Sequence, residues 1–316
     1  MTNDGFGFSG RLTSDFPSQI VVDLTNQCNL KCIHCAHSEM IKFAGFQKEN
    51  LDPLLSRRLV DEVRNEGKGI CSYIRYTADG EPMLHPHIFD MLEYAVDNCE
   101  SKITLTTNGT LLDDDKIERL VDLKLHSIDI SVDAFSESSY SMIRKNGEYE
   151  KIICNVRKLI NKKKSTKIFL SFVCQPANEA EAEPFEKYWL KNGADYVVVR
   201  RLHSCGNVLS PVLNTGLENK TAVRKPCLYP WERLILVSNG KLTFCPMFWG
   251  RESFYLFDFN EITIKEAWQS EKFNRLRREH LSNDFSEYGM CETCRDWQLT
   301  RWPHEGRAYA DLINET

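Results

Sequence analysis

Short apolar runs alternate with amphipathic helical segments along the first two-thirds of the chain. The runs rich in β-branched and aromatic residues are predicted strands, and they span residues 20–24, 73–76, 103–106, 127–132, 168–173 and 196–199. Strands that alternate with helices in this way form parallel βα units with right-handed crossovers. The sequence therefore predicts an α/β fold whose functional site lies at the carboxyl ends of the strands.

The pattern changes after about residue 210, where Pro, Gly and Asn become frequent. A hairpin is predicted over residues 234–244, around an Asn239-Gly240 turn, and a single helix is predicted over 263–279. We therefore divide the chain into an N-terminal extension at 1–17, an α/β domain at 18–209 and a smaller α+β domain at 210–316.

Net charge and hydropathy exclude several classes of partner. The chain has 316 residues and a formal net charge of −5, with no long basic run, which argues against nucleic acid as the main partner. No stretch approaches the roughly 20 consecutive apolar residues of a membrane helix, so we expect no membrane partner. The first residues lack the basic segment and apolar core of a signal peptide. We therefore expect a cytoplasmic protein.

The sequence contains twelve cysteines, and three of them crowd into the stretch CNLKCIHC directly after the first predicted strand. Disulfides rarely persist in a reducing cytoplasm, so clustered cysteines there indicate metal binding or chemistry. A structural zinc site closes its shell with four ligands, whereas this C-x3-C-x2-C group offers three. Cys28, Cys32 and Cys35 fit a 4Fe–4S cluster with one open iron. An incomplete or shared zinc site is the alternative.

A second group of four cysteines lies in the C-terminal region, at positions 227, 245, 291 and 294. Cys227 and Cys245 flank the predicted hairpin, and Cys291 and Cys294 form a C-x2-C pair. Four thiols satisfy either a zinc site or a fully ligated iron–sulfur cluster, and their spacing alone does not choose between them.

The cysteine motif after the first strand resembles that of the radical S-adenosylmethionine superfamily, and the resemblance runs over residues 18–205. It implies a partial (β/α)6 TIM-type barrel with Cys28, Cys32 and Cys35 as cluster ligands. The sequence Asp79-Gly80-Glu81-Pro82 resembles the family's Gly-Gly-Glu-Pro turn, although Asp79 replaces the first glycine. The residues that the resemblance implies for S-adenosylmethionine binding are His34, Gly80, Glu81, Pro82, Thr107, Asn108, Ser131, Asp133 and Arg144.

The resemblance also implies the chemistry. In this family the open iron chelates S-adenosylmethionine, a reduced cluster cleaves it, and the 5′-deoxyadenosyl radical removes a hydrogen atom from the substrate. A flavodoxin- or ferredoxin-type protein is the expected electron donor. The C-terminal hairpin and its four cysteines resemble the SPASM or twitch domain. We therefore expect two 4Fe–4S clusters, the second an auxiliary cluster held by Cys227, Cys245, Cys291 and Cys294.

Three functions are compatible with these features. The preferred one is oxidation of a carbinol of a sugar or aminocyclitol, free or nucleotide-linked, with the auxiliary cluster as electron acceptor. Relatives with one auxiliary cluster include the aminocyclitol dehydrogenase 2-deoxy-scyllo-inosamine dehydrogenase. The alternative is a radical epimerase of a sugar carbon that uses Cys205 as hydrogen donor. Modification of a ribosomal peptide is less favoured, since only about 18 residues precede the first strand and leave no room for a recognition domain.

Polar residues that follow the sixth predicted strand are candidates for the substrate site. Arg200, Arg201 and His203 share that strand end with Cys205. A histidine deprotonates or orients a hydroxyl, and arginines suit a phosphate or nucleotide on the substrate. We therefore assign Cys205, Arg200, Arg201 and His203 as the candidate catalytic group.

Overall fold

The fold was analysed on a computed structural model, which describes residues 5–77, 79–209 and 224–315. The predicted boundary at residue 210 falls on the edge of a segment outside the described residues. In the described part of the chain, no helix combines the length and apolar character that crossing a membrane requires.

The strands are numbered in chain order. They are β1 (Gln19–Asp23), β2 (Lys31–Cys32), β3 (Tyr73–Thr77), β4 (Lys102–Thr107), β5 (Ser127–Ser131), β6 (Arg144–Lys145), β7 (Lys167–Cys174), β8 (Tyr196–Arg201), β9 (Arg233–Leu236), β10 (Lys241–Thr243) and β11 (Phe257–Asp258).

The helices are numbered in the same way. They are α1 (His37–Met40), α2 (Pro53–Glu66), α3 (Ile88–Asn98), α4 (Asp114–Asp122), α5 (Glu137–Ile143), α6 (Tyr149–Lys162), α7 (Ala182–Lys191), α8 (Tyr229–Glu232), α9 (Ile264–Gln269), α10 (Glu271–Ser282), α11 (Gly289–Glu292) and α12 (Tyr309–Glu315).

The centre of the fold is a parallel sheet in the order β1-β3-β4-β5-β7-β8. Its connections contain α2, α3, α4, α6 and α7, whose apolar faces pack on the strands. This is the α/β partial barrel that the alternating pattern and the resemblance predict. All carboxyl strand ends therefore meet at one edge, where the first cysteine loop also lies.

The C-terminal hairpin extends this sheet. Strand β9 pairs parallel to β1, and β10 and β11 follow in antiparallel pairing, so the sheet has nine strands among the described residues. The turn between β9 and β10 uses Gly240 at φ 80°, the left-handed conformation that glycine adopts without strain. The smaller domain is thus joined to the barrel through the edge of β1, a long-range pairing that sequence periodicity does not indicate.

The single helix predicted over 263–279 is wrong, because the structure divides it at Ser270 into α9 and α10. Ser270 is extended, with φ −60° and ψ 152°, and its hydroxyl accepts a hydrogen bond from the Phe273 amide at 3.2 Å. Serine is a preferred N-cap residue, so it ends one helix and begins the next. Trp268 and Phe273 are both fully buried on either side of this break.

Helix α12 closes the amino-terminal end of the barrel. Its residues Ala310 and Ile313 form a buried cluster with Tyr73 of β3 and Phe169 of β7. The Lys102 ammonium also donates a hydrogen bond to the Ile313 carbonyl at 2.5 Å. Helix α12 therefore closes the barrel at the amino-terminal ends of its strands.

Candidate active site

The first cysteine loop, residues 24–35, follows β1, includes the short strand β2 and carries three partly exposed thiols. The Leu30 amide donates a hydrogen bond to the Cys28 sulfur at 3.4 Å, and the Cys35 amide donates to the Cys32 carbonyl at 3.2 Å. Burial raises the pKa of Cys28 to about 11, and the negative charges of Glu81 and Cys32 add to this rise. The three sulfurs are thus close enough to interact electrostatically within one loop.

Arg144, at the start of β6, ties this loop to the end of β5. Its Nη2 lies 2.6 Å from Oδ2 of Asp133, and its Nη1 lies 3.9 Å from the Cys32 sulfur. His34 Nε2 approaches the same Asp133 oxygen at 3.2 Å. Burial lowers the pKa of His34 to about 4, so this imidazole is neutral at physiological pH. Three residues expected around S-adenosylmethionine therefore lie together, with Asp133 at their centre.

The Asp-Gly-Glu-Pro turn after β3 positions a buried carboxylate against the end of β4. Glu81 accepts hydrogen bonds from the Thr107 hydroxyl at 2.5 Å and from the Asn108 amide at 2.7 Å. The Asn108 side chain in turn donates to the Asn29 side-chain oxygen in the cysteine loop at 3.0 Å. Burial raises the pKa of Glu81, and these hydrogen bonds oppose that rise. Pro82 begins the short 3-10 turn that follows.

Gly80 packs against the backbone where the cysteine loop begins. Its amide donates a hydrogen bond to the Thr25 carbonyl at 3.0 Å, and a Cβ atom at this position would overlap the backbone carbonyl of Gln27. Ser131, which ends β5, is half-buried at the same edge of the sheet. The predicted strand-end residues therefore lie at the carboxyl edge of four neighbouring strands.

Asp79, which departs from the family's motif, has a partner that sequence reasoning missed. The Asp79 amide donates a hydrogen bond to Oδ1 of Asp23 at 2.7 Å, and Oδ2 of each carboxylate is buried without a hydrogen-bond partner among the described residues. Burial raises the pKa of Asp23 to about 7, and burial together with Asp23 raises the pKa of Asp79 well above its ordinary value. This carboxylate pair stands at the end of β1, inside the barrel.

The four cysteines of the C-terminal region line a single cavity. The Met247 amide donates to the Cys245 sulfur at 3.4 Å, and the Cys294 amide donates to the Cys291 carbonyl at 3.3 Å. Burial raises the pKa of Cys245 well above its ordinary value, and the three other thiolates raise it further. The folded chain thus gathers residues 227, 245, 291 and 294, which are up to 67 positions apart.

Two nitrogen-bearing side chains line the same cavity and were not predicted. Arg224 donates to the carbonyls of Glu292 and Cys291 at 2.8 Å and 2.5 Å, while its Nε is buried without a partner among the described residues. His280, from α10, is 3% exposed, and neither ring nitrogen has a partner in that part of the chain. The cavity therefore combines four cysteine sulfurs with N–H groups that donate to no acceptor among the described residues.

The segment after β8 connects the two cysteine sites. Asp296, two residues beyond Cys294, accepts hydrogen bonds from the amides of Ser204 and Gly206 at 2.7 Å and 2.8 Å. Between them, the Cys205 sulfur lies 3.6 Å from the His34 carbonyl of the first cysteine loop. Residues 204–206 therefore contact both cysteine sites.

Cys205, expected as a hydrogen-atom donor, is fully buried. Its sulfur lies 3.3 Å from Nδ1 of His203 and packs in a small apolar cluster with Met40 and Met247. Burial raises the pKa of this thiol to about 12, so it remains protonated. The hydrogen-donor role of Cys205 stays a prediction, and the structure encloses its thiol among these neighbours.

The structure separates the two neighbouring arginines of β8. Arg200 points into the barrel and its Nη2 lies 2.8 Å from Oδ2 of Asp129, whereas Arg201 is exposed on the other face of the strand. Arg200 and Arg201 thus both lie at the predicted strand end, but only Arg200 faces the barrel interior. Asp129 and its further partner Arg75 were missed, although both stand at alternating positions of apolar strands, which is the signal of an inward polar residue.

Sequence comparison agrees with this arrangement. Residues 22–183, just over half of the chain, match the Radical SAM superfamily. The chain belongs to the radical SAM superfamily. Residues 227–295 of this radical SAM enzyme match the SPASM iron–sulfur cluster-binding domain, and all four C-terminal cysteines lie within that match.

Curated relatives share only part of the chain. A probable GTP 3′,8-cyclase of Methanocaldococcus jannaschii is 29% identical over 140 residues, which cover 44% of this chain and 44% of the cyclase. The radical SAM enzyme thus matches less than half the length of this relative. This sequence identity is consistent with membership of the superfamily, but it does not show that this chain has the activity of the cyclase.

Solved structures share the fold more completely. BtrN in complex with AdoMet and 2-DOIA superposes with a TM-score of 0.59 at 16% identity and covers 88% of this chain and 92% of BtrN. Streptococcus suis SuiB bound to the precursor peptide SuiA gives 0.67 at 15% identity, over 95% of this chain and 73% of SuiB. At these identities the similarity establishes the shared fold of barrel and C-terminal region.

The donor sets fit the cofactors that the family uses, S-adenosylmethionine and iron–sulfur clusters. Among the described residues, no group of three or more His, Cys, Asp or Glu side chains is arranged to hold a single metal ion. A 4Fe–4S cluster instead spreads its thiolates around a cubane. The cavity with four cysteines and two unsatisfied N–H donors suits such a cluster, because its sulfurs accept hydrogen bonds.

Proposed function

We propose that this radical SAM enzyme oxidises a carbinol of a sugar or aminocyclitol, free or nucleotide-linked, to a ketone. When bound, S-adenosylmethionine and its cluster supply a 5′-deoxyadenosyl radical, and the auxiliary cluster supplies an acceptor for one electron. The substrate loses a hydrogen atom from its carbinol carbon, a proton from its hydroxyl and one electron. The product is therefore two mass units lighter than the substrate. A flavodoxin- or ferredoxin-type protein supplies the electron that is used to cleave S-adenosylmethionine.

One observation carries the proposal, namely the single cavity lined by Cys227, Cys245, Cys291 and Cys294. Four protein thiolates complete the ligand shell of a cluster, so such a cluster has no open iron for substrate and is suited to electron transfer. The chain from His203 to Gly206 runs between this cavity and the first cysteine loop. An electron released at the barrel mouth thus has a short path to the second site.

Residues at the barrel mouth have separate roles in this proposal. Cys28, Cys32 and Cys35 hold the first cluster. The barrel domain spans residues 18–209 and the auxiliary domain spans residues 210–316, after an N-terminal extension at 1–17. The residues assigned to S-adenosylmethionine are His34, Gly80, Glu81, Pro82, Thr107, Asn108, Ser131, Asp133 and Arg144. Burial lowers the pKa of His203, so its imidazole is neutral and able to accept the hydroxyl proton.

One solved neighbour with the same fold holds a ligand of the proposed substrate class. BtrN, whose complex contains 2-DOIA beside AdoMet, matches this chain over 92% of its own length. Peptide-bound neighbours share the fold as well, since SuiB with its precursor peptide is matched over 73% of its length and anSMEcpe with Cp18Cys peptide over 87%. The preference for a small molecule therefore rests on the auxiliary-cluster cavity, and the turnover experiment tests it against peptides.

The experiment uses anaerobically reconstituted enzyme, S-adenosylmethionine, a reductant and a panel of sugars and aminocyclitols in deuterated buffer. We expect a product two mass units lighter, with equal amounts of product and 5′-deoxyadenosine. Cys205→Ala should retain this product, and Cys71→Ala, at another buried cysteine, is its matched control.

A product that gains one deuterium at carbon, and that Cys205→Ala abolishes while Cys71→Ala preserves, would overturn oxidation in favour of epimerisation. Turnover of a peptide with no turnover of any carbohydrate would contradict the substrate class.

A further inference from the structure

Two arginines meet one carboxylate inside the barrel, at a level below the strand ends. Nη2 of Arg75, from β3, lies 3.3 Å from Oδ2 of Asp129, and Nη2 of Arg200, from β8, lies 2.8 Å from the same oxygen. The Ser171 hydroxyl donates to Oδ1 of Asp129 at 2.6 Å. Asp129 is 1% exposed, so it holds both guanidinium groups in fixed positions from within the barrel wall.

Tyr309, the first residue of α12, forms the floor beneath the two arginines. Each guanidinium carbon lies 4.7 Å from the centre of its ring, and the Tyr309 hydroxyl donates to Asp129 at 3.3 Å. Cation–π contact with one shared ring keeps the guanidinium groups of Arg75 and Arg200 side by side. The pair is therefore built in advance, before any ligand arrives.

The charges in this layer do not balance. Arg75 and Arg200 carry two positive charges, and Asp129 carries one negative charge. Burial raises the pKa of Tyr309 to about 12, so its phenol is neutral, and the nearby Arg233 is paired with Glu232 at 2.6 Å. One positive charge therefore remains without a protein counterion among these residues, and a partly buried charge is costly unless it is paired.

Each arginine also keeps donors that the protein does not use. Nε of Arg75 donates to the Thr106 hydroxyl at 2.9 Å and Nε of Arg200 donates to the Ser171 hydroxyl at 3.3 Å. Within the described residues, Nη1 of neither arginine donates a hydrogen bond. The two side chains are 19% and 31% exposed, so protein atoms do not enclose them completely. The unused donors therefore belong to two side chains that a ligand is able to reach.

We propose that Arg75 and Arg200 bind an oxyanion, a carboxylate or a phosphate, that is part of the substrate. This inference rests on the proposed function, because it states that the substrate whose carbinol is oxidised also carries a negative charge. Guanidinium groups match the geometry of both oxyanions through paired N–H donors. The oxyanion binds deep in the barrel, and the carbinol carbon then lies nearer the strand ends, where the radical forms.

The test measures binding rather than turnover, on holoenzyme loaded with S-adenosylmethionine. Glucose, glucuronate and glucose 6-phosphate present one sugar with no charge, a carboxylate or a phosphate, and calorimetry gives the affinity of each. We expect both anions to bind more tightly than glucose, with the larger of the two affinities identifying the oxyanion. Arg75→Gln and Arg200→Gln should each weaken anion binding by at least about tenfold, as expected for the loss of charge-assisted hydrogen bonds.

Two further variants keep the test decisive. Arg157→Gln removes an exposed arginine of α6 and should leave anion affinity unchanged. Asp129→Asn removes the competing carboxylate without removing either arginine, and it should tighten anion binding. Equal affinity for all three sugars, or anion affinity that survives Arg75→Gln and Arg200→Gln, would overturn the proposal. Turnover of an aminocyclitol without carboxylate or phosphate, by both variants at the parent's rate, would also overturn it while leaving the proposed oxidation intact.

Discussion

Arg144 and Asp133 form a buried ion pair that connects the end of β5 to the first cysteine loop. The Nη2–Oδ2 distance is 2.6 Å, and the other amino group of Arg144 points at the Cys32 sulfur from 3.9 Å. Asp133 is 0% exposed and also accepts a hydrogen bond from the Val173 amide at 2.7 Å. The pair thus orients a guanidinium toward the cluster while it joins three neighbouring segments.

Replacement of Arg144 by Met should destabilise the protein by about 3–5 kcal/mol, because Asp133 is left as an unpaired buried charge. S-adenosylmethionine binding should weaken as well. Denaturant unfolding and calorimetry measure the two effects. Lys116→Met breaks an exposed pair with Asp113 and should cost no more than about 1 kcal/mol. If the double variant Arg144→Met/Asp133→Asn recovers both stability and S-adenosylmethionine affinity, Arg144 is purely structural and our assignment fails.

The Asp23–Asp79 pair predicts a pH-dependent loss of stability. The pKa of Asp23 is raised by burial to about 7 in the folded protein, from 3.8 when unfolded. Below pH 4 the Asp23 carboxyl is protonated in both the folded and the unfolded state. As the pH rises from 4 toward 7, the unfolded state releases this proton while the folded state still holds it, so the free energy of unfolding decreases. Asp23→Asn should therefore raise the unfolding temperature more at pH 8 than at pH 5.

The charge of Glu49 raises the pKa of Asp23 further, while the hydrogen bond from the Asp79 amide opposes that rise. Asp284→Asn, at an exposed position, is the control and should shift the unfolding temperature equally at both pH values. An Asp23→Asn variant that behaves like this control would show that Asp23 is ionised in the folded protein.

His280 predicts the redox behaviour of the second site. Its buried ring lines the four-cysteine cavity and has no hydrogen-bond partner among the described residues. Hydrogen bonds to cluster sulfurs raise the reduction potential, so His280→Leu should shift the auxiliary cluster to a more negative value. His280→Gln keeps an N–H donor and should remain nearer the parent. Redox titration followed by electron paramagnetic resonance separates the cases, and identical potentials in both variants would rule out the hydrogen bond.

Gly80 predicts a strict steric requirement in the turn after β3. Any side chain there meets the backbone of Gln27, which belongs to the loop that carries the cluster cysteines. Gly80→Ala should destabilise the protein by at least about 3 kcal/mol, since backbone rather than a flexible side chain has to move. Gly7→Ala, where nothing lies within 4 Å, is the control for denaturant unfolding. Equal stability of the two variants would mean that the turn adapts without cost.

The sequence by itself determined the features that depend on local pattern. Alternating strands and helices predicted the parallel core, because hydrophobic periodicity reports which face of each element is buried. The C-x3-C-x2-C spacing and the strand-end motifs at Glu81, Thr107 and Asp133 predicted one site, because parallel strands place their carboxyl ends at a single edge. The asparagine–glycine turn likewise predicted the hairpin from two residues.

Only the tertiary structure decided which distant side chains meet. The pairing of β9 with β1, the contact of Asp79 with Asp23, and the layer of Arg75, Asp129 and Arg200 join residues 54 or more positions apart. Such contacts depend on how strands register in the barrel and on where α12 closes it, and no local spacing encodes them. Burial of Cys205 belongs to the same class, because the side chains that enclose its thiol include Met40 and Met247, which are 207 positions apart.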